Sequence, residues 1–241
     1  MKRILFIAAS LFVTLTASAQ MKISGTLKDT TGKGIEGVTV SDGFSCVVTD
    51  AKGRYKMTTS SDAVHVFYSI PSAYKVNVKD GHPDFYQRLN KSVKKYDFTL
   101  TPNPTEEKAF RLIMVADPQA QCEFHIKRFE RETVPDIRQY VDAQTLPCYG
   151  ITLGDIVYTE GEHKTNKFME PMRRAMSYDN THLLFFQTMG NHDNVDHPVT
   201  LDEGTSTYNL AYQRAFESVF GPVNYSWNRG DVHIVSMKDY I

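Results

Sequence analysis

Apolar and polar positions alternate with a period of two over short runs in the first hundred residues. Runs of this kind at 22–27, 37–40, 46–49, 54–58, 64–68 and 96–100 read as strands. Turn-forming clusters separate several of them: Asp29-Thr30-Thr31-Gly32, Ser41-Asp42-Gly43 and Asp50-Ala51-Lys52-Gly53. Many short strands at regular spacing predict an all-β sandwich over 20–101. Pro102 and Pro104, set among polar residues, then mark a linker at 102–109. Beyond it the rhythm changes. Strand-like runs at 110–116, 150–153 and 183–188 alternate with helical spacing at 123–143 (divided at Pro135), 164–176 and 207–220. Runs at 225–227 and 232–237 flank Asn228-Arg229-Gly230-Asp231 as a hairpin. Alternating strands and helices predict crossover connections and a largely parallel sheet over 110–241. The apolar stripe of Phe168, Met169, Met172 and Met176 reads as core packing.

The N-terminus has a different pattern. Lys2 and Arg3 precede an apolar stretch over 4–15, and Ala17-Ser18-Ala19 fits a small-residue cleavage site. Residues 1–19 therefore read as an export signal, with the mature chain in a periplasm or outside the cell. The apolar run is shorter than the roughly 20 residues of a membrane span, so no stable anchor is expected after cleavage. The 241 residues carry a net charge of −1 with 23% charged and 41% hydrophobic residues, which points to a globular chain without a nucleic-acid footprint. Export leaves three cysteines, Cys46, Cys122 and Cys148. The odd number requires at least one free thiol, Cys122 and Cys148 could pair, and buried free thiols are the preferred reading.

The chemistry lies at the ends of the three strand-like runs in the second half. Each ends on an oxygen-bearing side chain: Asp117 of Asp117-Pro118-Gln119, Asp155 after Gly154, and Asn191 of Gly190-Asn191-His192-Asp193. Spacings of 38 and 36 residues leave room for a helix between adjacent parallel strands, whose carboxyl ends then share one crevice. Phosphate-ester hydrolysis commonly uses two divalent metals about 3.5–4 Å apart, held by such donors. An Asp after a strand is often no more than a cap or turn residue; three in this order, the last within Gly-Asn-His-Asp, are far more specific.

On these motifs residues 110–238 resemble the N-terminal half of the calcineurin-like metallophosphoesterase family. The 220–227 stretch and Gly230-Asp231-Val232-His233 are also similar to the family after its third motif. The resemblance implies a layered αββα domain, here incomplete, that hydrolyses a phosphate mono- or diester with a hydroxide activated by two metals (Mn, Fe, Zn or Mg). It places Asp117 on the first metal, Asp155 as the bridge, Asn191 on the second, and His192 against the substrate. Gln119 is a further candidate ligand, and Asp193 a candidate to fix the His192 ring.

Gln119 stands where many members have His, which would shift preference toward hard cations. The family's later Gly-His-x-His motif is missing. His197 reads as a loop residue and His233 as a packed one. A missing C-terminal half is therefore expected, with an uncovered apolar sheet face and a truncated, by itself inactive, form. Candidate substrate-edge residues are Tyr158, His163, Asn194 and His197. The segment at 20–101 resembles carboxypeptidase-regulatory-like or transthyretin-like sandwich modules, on Ile23-Ser24-Gly25-Thr26-Leu27, the 34–40 stretch and the 49–55 stretch. The alternative function is a non-catalytic remnant or a surface-binding module built on that sandwich.

Overall fold

A computed structural model describes residues 20–159, 167–194 and 206–238, with backbone alone for 206–212. The signal segment at 1–19, His163 and His197 lie outside the described residues.

The first segment is built from β1 (Lys22–Asp29), β2 (Thr39–Ser41), β3 (Cys46–Val48), β4 (Arg54–Thr58), β5 (His65–Tyr68), β6 (Val78–Lys79), β7 (His82–Pro83), β8 (Tyr86–Arg88) and β9 (Phe98–Leu100). They form sheets in the orders β4-β1-β9 and β3-β2-β5-β8, with β6 and β7 as a small separate pair. In β1 the alternation seen in the sequence turns Ile23 and Leu27 inward and Lys22 and Lys28 outward. The two larger sheets share one apolar core, including Val40, Tyr55, Val66, Tyr68 and Leu100. The periodicity did not reveal β6, β7 and β8, which are two or three residues long and lie among polar turn residues.

The second segment contains β10 (Arg111–Val115), α1 (Glu123–Arg128), a π-helical turn (Phe129–Thr133), α2 (Val134–Asp142), β11 (Cys148–Thr152), α3 (Met169–Ala175), α4 (Tyr178–Thr181), β12 (Phe185–Phe186), α5 (Ser206–Phe220), β13 (Tyr225–Arg229) and β14 (Val232–Ser236). Strands β10, β11 and β12 are adjacent and parallel, with Val115 opposite Thr152 and Ile151 opposite Phe186. The predicted helix at 123–143 is continuous through its π turn. Pro135 sits in the first turn of α2, and its missing N–H and its ring are accommodated by the wider turn just before it. Met169, Met172 and Met176 are fully buried, as core packing requires.

Residues 102–109, read as a linker, are held at several points. Asn103 donates its backbone N–H to Ala73 O and its side-chain amide to Ser72 O. Glu107 accepts the Tyr149 hydroxyl at 2.9 Å. The apolar core of the first segment also continues past this stretch into Tyr149, Ile151, Phe186, Tyr225 and Trp227. Trp227 lies flat on Phe186, with ring centroids 4.0 Å apart, and Phe85 packs against Tyr225 at 5.0 Å. The β13–β14 hairpin joins the first segment through a parallel bridge between Ile70 and Trp227.

Arg229 is buried beside this joint. Its guanidinium lies over the Tyr149 ring, donates to the carbonyls of Tyr74 (3.2 Å) and Asn228 (2.8 Å), and has Glu107 Oε2 3.8 Å from its Nε. Burial pushes the Tyr149 phenol up to about 12.

Two expectations are corrected. The cysteines are free but not buried: Cys46 is exposed on the edge strand β3, and Cys122 and Cys148 are half-buried. His233 does not pack into a core. It is exposed on β14, where His233 and Val235 face outward, as does Met237 just past the strand. No helix among the described residues is long and apolar enough to cross a membrane.

Candidate functional site

The loops after β10, β11 and β12 meet at the carboxyl edge of the parallel sheet. A parallel bridge from Ala120 to Val157 extends the contact between the first two loops. Gln119 N–H donates to Asp155 O at 2.9 Å, and Ala120 N–H to Ile156 O at 3.2 Å. Five non-glycine residues among those described have positive φ, and three of them lie here: Asp117 (48°), Gln119 (44°) and Asp155 (51°). Left-handed backbone is unfavourable for residues with a Cβ, and such conformations concentrate where a chain must aim a side chain.

Two glycines permit the close approach. A Cβ on Gly154 would lie 2.8 Å from Gly190 Cα, and a Cβ on Gly190 would lie 2.1 Å from Asp155 Oδ1. The loop carrying Gly190-Asn191-His192-Asp193 therefore rests directly on Asp155. His192 N–H donates to Asp155 Oδ1 at 2.9 Å. The Asp155 Oδ2 oxygen accepts a long 3.4 Å contact from Gln119 Nε2 and lies 4.0 Å from His192 Nε2.

Asp193 has a different place from the one expected. Its Oδ1 accepts Val157 N–H at 3.0 Å and its Oδ2 accepts Gly190 N–H at 2.9 Å. The carboxylate thus clamps the turn at 191–193 onto the loop after β11. It is completely buried, and burial raises its carboxyl to about 7, against the lowering effect of the two amide hydrogen bonds. Tyr158 stacks beside the His192 ring at 4.6 Å, and so forms one wall of the site. Asn194 donates its side-chain amide to Asn191 O at 3.3 Å. Thr159, which sequence reasoning did not pick out, is buried and donates its hydroxyl to His192 O at 2.7 Å; the same hydroxyl also meets Asn194 O. No sequence signal distinguishes such a Thr from any other residue past a strand.

Gln119 and His192 thus both approach the Asp155 carboxylate, while Asp117 and Asn191 are exposed at the neighbouring loop ends. Two carboxylates and two amides form an oxygen-rich donor set that suits a hard divalent cation. It does not by itself complete a dinuclear shell. Among the described residues no three His, Cys, Asp or Glu side chains converge as a metal-holding group.

Comparison with known families adds one finding. Residues 21–103 match the family model described as the N terminal of Calcineurin-like phosphoesterase. No curated protein matches the chain. The matched segment is the one whose sequence resembles carboxypeptidase-regulatory-like modules, and the match associates it with phosphoesterases, hydrolases that are typically metal-dependent. It contains none of the motif residues at 117–119, 154–155 and 190–193. The sheet-rich architecture with few helices is consistent with part of a calcineurin-like domain.

Proposed function

We propose that the chain is part of an exported metal-dependent phosphoesterase acting on a phosphate mono- or diester. The observation that carries this reading is the contact of three strand-end loops around Asp155, made possible by Gly154 and Gly190. Asp117, Gln119, Asp155 and Asn191 would hold a divalent cation, which when bound supplies Lewis acidity toward a phosphoryl oxygen. The remaining donors for a second metal have to come from outside the described residues. For that reason the described portion is expected to bind metal weakly and to have little activity by itself.

The chain's own residues have separable tasks. Asp155 is anchored through Oδ1 by the His192 amide, which leaves Oδ2 on the open side with Gln119. The His192 ring stands 4.0 Å from that carboxylate and is backed by Tyr158, a position from which an imidazole can hand a proton to a leaving oxygen. Asp193 and Thr159 hold the backbone that presents the ring. Export rests on the basic–apolar–small pattern of residues 1–19.

The test is Mn²⁺ binding by the chain and by Asp155→Asn, with aryl phosphate hydrolysis measured in parallel. Weak binding that disappears in the variant is the expected result. Absence of binding in both proteins would overturn the reading. It would favour the alternative, a non-catalytic binding module.

A further inference from the structure

A cleft of about 620 Å³ opens between the first segment and the β13–β14 hairpin, on residues the phosphoesterase reading does not use. Its volume lies in the range of small-molecule sites, which favour such junctions. One wall comes from the stretch after β1, with Lys33 and Glu36; the other comes from Ser69, Tyr74, Asn228 and His233.

The polar groups of the second wall are fixed in advance. Asn228 Nδ2 donates to Ile70 O at 2.9 Å, and this carbonyl sets the orientation of the amide. Asn228 Oδ1 therefore faces His233 Nδ1 at 2.7 Å and accepts a hydrogen bond from its N–H. In the tautomer this hydrogen bond selects, Nε2 is an acceptor. Ser69 is held in turn by Ser226, with the two hydroxyls 2.8 Å apart. Lys33 and Glu36 oppose each other in charge, so the lining favours neither an anion nor a cation. Tyr74 adds an aromatic ring that can pack against an apolar ring face while its hydroxyl stays polar.

The geometry points to a binding cleft for a neutral, hydroxyl-rich ligand, a saccharide, between the first segment and the hairpin. Prepositioned acceptors and donors around one aromatic ring suit a ligand that displays hydroxyls at its edge and C–H groups on its face. The cleft shares no residue with the rim around Asp155, so this inference and the phosphoesterase reading can fail independently.

The test is titration of the isotope-labelled chain with maltotriose, cellotriose and chitotriose, and with inorganic phosphate as the charged comparison, followed by amide chemical shifts. At least one trisaccharide is expected to shift the amides of Ser69, Tyr74, Asn228 and His233. Two surface variants then probe the site. Ala73→Trp fills the cleft, and His233→Ala removes the acceptor; both side chains are exposed, so thermal midpoints should stay unchanged. Each variant should weaken the shifted titration at least about tenfold. The proposal is overturned if no trisaccharide shifts these amides, if phosphate shifts them more strongly, or if both variants bind as the parent does.

Discussion

The joint around Trp227 and the rim around Asp155 lie on the same parallel sheet, yet they are built by different means. At the joint, large rings fill space: Phe85, Tyr149, Phe186, Tyr225 and Trp227 pack the first segment onto β11 and β12. At the rim, space is made by leaving side chains out. Gly154 and Gly190 bring two backbones into contact, three polar residues adopt left-handed backbone, and a buried carboxyl clamps the turn. The joint gains free energy from apolar burial. The rim costs some, because it holds unfavourable φ angles and a desolvated acid. A chain that maintains such a costly rim next to an inexpensive core is using the second to support the first.

Trp227→Ala tests the joint and should have the largest effect. Loss of a fully buried indole costs about 3–5 kcal/mol. Chemical denaturation is expected to lose that stability in a single transition if the two segments share one core. Two separate transitions, with the first segment unaffected, would show that the joint is only a contact between independent units. Gly190→Ala tests the rim. The added Cβ would meet Asp155 Oδ1 at 2.1 Å, so the carboxylate or the loop must move. A loss of about 1–3 kcal/mol, the range of overpacking, is expected, together with the loss of Mn²⁺ binding. A variant that binds Mn²⁺ as tightly as the parent would show that the close approach serves packing alone.

The sequence revealed these two regions to different extents. The convergence of the rim could be read because strand-end acids and glycines carry a motif: Gly154-Asp155 and Gly190-Asn191-His192-Asp193 mark strand ends whose loops meet in the fold. The role of Asp193 was not legible. Whether a carboxylate clamps backbone amides or steadies a neighbouring ring depends on side-chain direction, which the motif does not encode. The joint was hidden for another reason. Pro102 and Pro104 do end the last strand of the first segment, but nothing local says that Glu107 will receive the Tyr149 hydroxyl or that Trp227 will lie on Phe186. These are contacts between distant stretches, and periodicity reports only which side of a strand is apolar. Val235 and Met237 face outward, and periodicity does not say whether such an apolar face is covered.

Protonation separates the regions further. His65 lies in the first segment, buried, with its ring edge-on to Tyr86 at 5.0 Å and no hydrogen-bond partner for Nδ1 among the described residues. Burial, with smaller contributions from Arg88 and Arg214, lowers it from 6.5 to about 4. The unfolded chain therefore binds a proton that the folded chain refuses. The His65 contribution to stability is complete above pH 6.5 and is lost as pH falls toward about 4. Asp193 at the rim acts with the opposite sign. Its carboxyl is raised from 3.8 to about 7, so its contribution is lost as pH rises through that window. His65→Phe keeps the ring and removes the proton. Relative to the parent, it should gain about 1–2 kcal/mol near pH ~5 and little at neutral pH. An equal effect at both pH values would mean that the folded chain takes up this proton as readily as the unfolded one.

The smallest effect is expected on the outer face of β14, which belongs to neither region. Val235 is 52% exposed and Met237 61% exposed, and among the described residues β14 pairs only with β13. Val235→Lys adds a charge where water already reaches, so stability should change by no more than about 0.5 kcal/mol. A charge on an edge strand also discourages edge-to-edge pairing, so light scattering at high concentration should decrease or stay the same. Denaturation at several protein concentrations checks both points. A loss above about 2 kcal/mol, or a parent midpoint that rises with concentration, would mean that this face is covered in solution. The joint would then be one of two places where the sheet is completed, and the contrast between a finished core and an open rim would have to be redrawn around three surfaces.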